Sequence, residues 1–137
     1  RPQNSYDAQF SIPYAVASGL VRGRFGLADL SEEALRDETV LAIAEKVDYE
    51  IDPNSRFPKY YSGEVIVKLR SGETLQWRED INRGAQDRPL SVEDIIEKCV
   101  GNMLTVTSEV RAREVLDAVL NLDQHSARTL TRCLSSR

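Results

Sequence analysis

Among 137 residues there are two cysteines, one histidine, one methionine and one tryptophan, and each scarcity removes a class of chemistry. Cys99 and Cys133 are far apart and lack the paired spacing of a zinc or redox motif, so they read as free thiols. With His125 they cannot ligate an iron–sulfur cluster from this chain alone. His125 also has no neighbouring residue type that would orient it as a general base. Basic excess is missing too: 18 Lys and Arg face 22 Asp and Glu, and a net charge of -4 argues against a general nucleic-acid surface. No apolar run approaches the ~20 residues that span a bilayer, and no basic-then-apolar leader opens the chain. The expectation is a cytosolic protein that binds neither nucleic acid nor membrane. Arg1 rather than Met stands first, and the polar stretch to Ser5 reads as a chain cut from something larger, although a trimmed natural N-terminus fits equally.

What is present is enough for a real core: 41% hydrophobic and 29% charged residues, as in ordinary globular domains. Around Asp7-Ala8-Gln9-Phe10-Ser11-Ile12-Pro13-Tyr14-Ala15 the sequence signals a helix start. Ser11 can cap, and Pro13 sits in the first turn, where a missing N–H costs nothing. Ala15, Val16, Ala17, Leu20 and Val21 continue an apolar helix. Tyr14 then lies beside a helix N-terminus, whose unpaired N–H groups and partial positive charge suit a carboxylate. A capped core helix with a buried tyrosine satisfies the same pattern. Gly23 or Gly26 reads as the helix C-cap rather than as part of a phosphate loop, because these glycines close a helix, and Arg22 and Arg24 suit the negative end of its dipole.

Ser31, with Glu32 and Glu33 behind it, and Asp37, ahead of Val40, Leu41, Ile43 and Ala44, mark two short helices. Alternation then predicts strands. Val47, Tyr49 and Ile51 oppose Asp48, Glu50 and Asp52, and a hairpin turns near Ser71-Gly72. A two-residue loop would put Leu75 and Trp77 on the face opposite Val65, Val67 and Leu69. A three-residue loop with Gly72 left-handed pairs Val67 with Leu75 and Val65 with Trp77, which gathers the apolar set. The three-residue loop is therefore expected, within an antiparallel sheet of at least three strands. Trp77, Tyr60 and Tyr61 read as core or its cover. Arg83 and Arg88, in a polar loop, are candidate carboxylate holders or simply parts of a solvated connector. Helical periodicity resumes with a Ser91/Asp94 capping box and a stripe of Val92, Ile95, Ile96, Cys99, Val100 and Met103. A second helix starts at Ser108, and a third covers about 126–134. The fold class expected is α+β: residues 1–90 as a small α+β domain, incomplete on its N-terminal side, and residues 91–137 as C-terminal helices.

The Asp-Ala-x-Phe-Ser-x-x-Tyr-Ala pattern of residues 7–15 resembles the start of the C-terminal region of the MmgE/PrpD family. Further landmarks follow in family order: the small-residue helix ending at Gly23, the 27–35 segment with Leu-Ser-Glu-Glu, 47–53 running into Asp-Pro, the 65–75 hairpin, and Arg83-Gly84 followed by Pro89-Leu90-Ser91 and a helix. The family includes 2-methylcitrate dehydratase, cis-aconitate decarboxylase and iminodisuccinate epimerase. The resemblance implies a lyase or isomerase working by proton abstraction beside a carboxylate, with small di- or tricarboxylate substrates and neither metal nor cofactor. It also implies a homodimer in the full-length form, and a large helical domain, absent here, on which residues 91–137 would pack. By the same resemblance residues 1–90 would form a lid or wall of the cleft, with Tyr14 as a catalytic residue and Ser11 as a substrate-binding one. The main acid–base residues would lie upstream, leaving this chain alone inactive. From the residues themselves a non-catalytic α+β module for ligand sensing or dimerisation remains open.

Overall fold

Helix signals and hairpin signals are segregated along the chain, and the computed structural model, which describes residues 1–135, follows them with one exception. Two compact units result, Arg1–Pro53 and a second beginning at Asn54.

In the first unit, α1 (Ser5–Gln9) is capped by Asn4, whose side chain accepts from the Asp7 N–H. Helix α2 (Ile12–Arg22) starts as its sequence requires: Ser11 Oγ accepts from the Tyr14 N–H, Pro13 occupies the first turn, and Gly23 ends the helix at φ 72°. A left-handed φ at that point is open to glycine at no steric cost. Two 3₁₀ turns, Leu27–Leu30 and Ala34–Arg36, lead to α3 (Glu38–Ala44). Asp37 caps α3 by accepting from the Thr39 and Val40 N–H groups. Ala8, Tyr14, Ala17, Val40 and Leu41 form the core, with Leu30, Leu35, Ile43 and Ala44 packed on it.

The second unit contains β1 (Gly63–Lys68) and β2 (Thr74–Glu79), followed by α4 (Val92–Met103), α5 (Glu109–Leu120) and α6 (Ala127–Ser135). The hairpin register is the one that aligns the apolar residues: Val65 faces Trp77 and Val67 faces Leu75. Leu69 N–H donates to Glu73 O at 2.8 Å, Gly72 N–H donates to Leu69 O at 3.0 Å, and Gly72 has φ 90°. This is the three-residue loop. An L side chain at that φ is strained, so Gly72→Ala is expected to destabilise the hairpin by about 1–2 kcal/mol, while Ser71→Ala stays within about 0.5 kcal/mol. Amide exchange of β1 and β2 reads both.

The expectation of at least three strands is corrected: among the described residues the sheet has two, β1 and β2. Residues 47–52 form no ladder, and Tyr49 and Ile51 are 70% and 93% exposed. Alternation makes a segment suited to a sheet, but a strand exists only where a neighbour supplies its hydrogen bonds. The helical stripes are likewise less covered than their pattern suggests. Helix α4 begins with the expected Ser91/Asp94 capping box, yet none of its residues is fully buried. Cys99 and Cys133 are free and half-buried. No helix among the described residues is long and apolar enough to cross a membrane.

Candidate functional site

Helix α2 carries polar residues at positions 14, 18 and 22, one face at a spacing of four. All three reach the same stretch of chain. The Tyr14 ring is fully buried, edge-on to Phe25 at 6.1 Å. Its hydroxyl proton is shared by two carbonyls, Asp29 O at 2.8 Å and Ala34 O at 3.0 Å. Ser18 Oγ donates to Arg24 O at 3.3 Å. The Arg22 guanidinium donates to Asp29 Oδ1 at 2.7 Å and Asp37 Oδ2 at 2.8 Å, with a longer contact to Ala34 O at 3.4 Å.

Asp29 is only 2% exposed, and it also accepts from the Gly26 N–H at 2.8 Å. Burial alone would push its carboxyl up. The Arg22 guanidinium and the Gly26 N–H more than offset that and hold it below the usual carboxylate range. Asp37 is held low chiefly by its hydrogen bond from Arg22, helped by the Thr39 and Val40 N–H groups against some desolvation. Arg22 is in turn held more firmly protonated by Asp37 and Asp29. Burial pushes the Tyr14 phenol up; the Arg22 cation opposes this.

These contacts decide what the cluster can do. A solvent-open groove of ≈ 660 Å³ lies over Arg22, lined also by Glu32, Glu33, Arg36 and Asp37. Its one half-buried cation is already bound to two carboxylates, and the lining carries more negative than positive groups. As folded here, the groove is no receptor for a free carboxylate. Tyr14 faces inward, away from the groove, in the position of a latch. Ser11 spends an acceptor on capping, and because Ala15 N–H donates to Ser11 O at 2.9 Å and Pro13 has none, Ile12 is the one first-turn N–H of α2 without a partner among the described residues. The structure thus brings Tyr14 and Ser11 to the same helix start, with the Tyr14 hydroxyl pointing into the fold and the half-buried Ser11 hydroxyl accepting from the Tyr14 N–H.

Sequence reasoning missed Arg22, Asp29 and Asp37 as a unit. The arginine suited a helix dipole equally well, but a polar 14/18/22 stripe on an otherwise apolar helix was the readable sign. In the second unit, Arg83 pairs with Asp94, and Arg88 with Glu79 and Ile81 O. Neither is a waiting carboxylate holder. Tyr60 is buried with its hydroxyl on Asp87, Lys59 Nζ lies 4.7 Å from its ring centroid, and Tyr61 is exposed against Phe57. His125 is exposed and has no side-chain partner among the described residues. No three His, Cys, Asp or Glu side chains among those residues are placed to hold a metal ion.

Comparison with known proteins adds what the geometry does not carry. The MmgE/PrpD C-terminal domain profile matches residues 1–124. Human cis-aconitate decarboxylase is 27% identical over 124 residues, covering 89% of this chain and 26% of the relative. The mouse protein of the same name is 24% identical over 140 aligned positions, covering 97% of this chain and 28% of the relative. The chain spans about a quarter of the length of these curated relatives.

Proposed function

The chain belongs to the MmgE/PrpD family, in the part that forms its C-terminal domain, and from that premise we propose that it serves as one wall of the substrate cleft in a cis-aconitate decarboxylase-like lyase. The observation that carries this reading is the similarity to two cis-aconitate decarboxylases along most of the chain. Lyase chemistry beside a carboxylate needs a base placed to remove or return a proton and a group to hold the developing charge. Within the described residues the acidic and basic side chains are ion-paired, hydrogen-bonded or solvated and the Tyr14 hydroxyl is held by two carbonyls, so the reading assigns the acid–base set to the remaining three-quarters of the protein. The substrate is a small tricarboxylate, and the helical partner domain, the homodimer and a cytosolic location belong to the same proposal. Ser11 is its substrate-side residue, through a hydroxyl proton that capping leaves unused.

The test is an assay of both forms. The complete protein carrying this chain is expected to release carbon dioxide from cis-aconitate, and the purified 137-residue chain to release none. Turnover by the chain alone, or a complete protein inert toward both cis-aconitate and 2-methylcitrate, overturns the proposal.

A further inference from the structure

We infer that residues 24–36 form a strap that opens as one cooperative unit while α2 and α3 stay packed, with the Tyr14–Ser18–Arg22 face of α2 as its clasp. The segment is built unlike the elements on either side of it. Phe25 and Leu27 are exposed, Leu30 and Leu35 are only partly buried, and the fully enclosed residues are Asp29 and Ala34. Its hydrogen-bonded attachments come from one helix face, Tyr14 to Asp29 O and Ala34 O, Ser18 to Arg24 O, Arg22 to Asp29 and Ala34, and its apolar attachments are the partly buried Leu30 and Leu35 and the edge contact of Phe25 with the Tyr14 ring. Each hydrogen bond is exchanged for one to water on opening, so its net worth is small. The α2–α3 contact is different in kind, because Tyr14, Ala17, Val40 and Leu41 bury apolar surface that opening would have to expose. Elements with few buried apolar contacts open at lower free energy than the core beside them.

The hinges are visible as well. Gly23 at φ 72° ends α2 at one side of the strap, and Asp37 closes the other side. Asp37 keeps its bonds to the α3 N-terminus and to Arg22, so Arg22 releases Asp29 and Ala34 while retaining Asp37. Opening uncovers the Tyr14 hydroxyl and leaves α2 folded. This inference does not depend on the catalytic assignment.

Native-state hydrogen exchange on the whole chain tests it, using low guanidinium and the strap amides of Asp29, Ser31, Leu35 and Arg36 against those of α2. The strap amides are expected to exchange at least about tenfold faster than the α2 amides, with a shallower denaturant dependence. Val40→Ala, which strikes only the core contact, should accelerate the α2 amides about tenfold or more and leave the strap amides within about twofold. Ser18→Ala should accelerate the strap. Strap and α2 amides that share one denaturant slope and respond together to Val40→Ala overturn the inference. If Val40→Ala fails to fold, the denaturant slopes of the wild-type chain decide the question by themselves.

Discussion

Arg22→Met is expected to lower the unfolding free energy of the first unit by about 3–5 kcal/mol at neutral pH, the cost of removing one partner from a buried ion pair. The methionine keeps much of the arginine's apolar stem, so the loss is chiefly electrostatic. The reason is Asp29: it is 2% exposed, and without the guanidinium its charge keeps only neutral partners, the Gly26 N–H and the Ser18 side chain. Asp37 is less exposed to this loss because its other oxygen still caps α3. The pH dependence gives the mechanism away. Both carboxyls lie below their ordinary value of 3.8 in the folded chain, so their stabilisation is complete above that value and disappears as pH falls through the lower folded values. In Arg22→Met the buried Asp29 becomes easier to protonate, and acid relieves the penalty. The gap between wild type and variant is therefore expected to be widest near pH 7 and to narrow below about pH 4. Guanidinium unfolding at the two pH values measures it, and adding Asp29→Asn should recover a large share of the loss. Arg24→Met, at an exposed arginine without an acidic partner among the described residues, should stay within about 0.5 kcal/mol. A gap that does not change with pH would assign the Arg22 effect to packing.

Tyr14 separates two claims about the same residue. Tyr14→Ala removes a fully buried ring from the centre of the first unit and is expected to cost about 3–5 kcal/mol. Tyr14→Phe keeps the ring and removes the proton shared by Asp29 O and Ala34 O. Two enclosed carbonyls then lose a donor. Ala34 O keeps the Asp37 N–H at 3.3 Å and the longer contact from Arg22, while Asp29 O loses its donor, so the expected cost is about 1–2 kcal/mol. In the complete protein, assayed on cis-aconitate under the proposed function, a latch predicts a lowered thermal midpoint with kcat within about twofold of wild type. The catalytic role implied by the family resemblance predicts the opposite, a fall in turnover of at least about tenfold with the midpoint nearly unmoved. The geometry favours the latch, and measuring kcat and Tm on the same preparation distinguishes the two outcomes without appeal to fold.

Local signals were legible wherever a single element settles its own geometry. Ser11, Asp37, Ser91 and Ser108 cap helices because their hydroxyl or carboxylate oxygens reach N–H groups two or three residues on, a relation contained in the sequence spacing. The hairpin register was legible because only one loop length puts Val65, Val67, Leu69, Leu75 and Trp77 on the same side. The 47–52 segment shows the limit. Its alternation is real, but pairing is a property of two segments, and no neighbouring segment among the described residues supplies the second. Tyr14 shows it again. Its carbonyl partners lie 15 and 20 residues away, and backbone acceptors leave no mark in a sequence. The Arg22 cluster falls between these cases: its charges are readable one at a time, but their convergence depends on the path taken through two 3₁₀ turns.

The hairpin has a colloidal consequence. Its polar face is self-neutralising, since Gln76 and Arg78 both engage Glu64, whereas its other face leaves Val65, Leu69, Leu75 and above all Trp77 in contact with water. Two strands also mean two open rims of N–H and C=O groups, a template onto which further strands can add. A molecule that is wettable on one side and greasy on the other behaves as a surfactant toward its own kind. A lysine facing outward from the Trp77 side is therefore expected to raise the solubility of the separated chain.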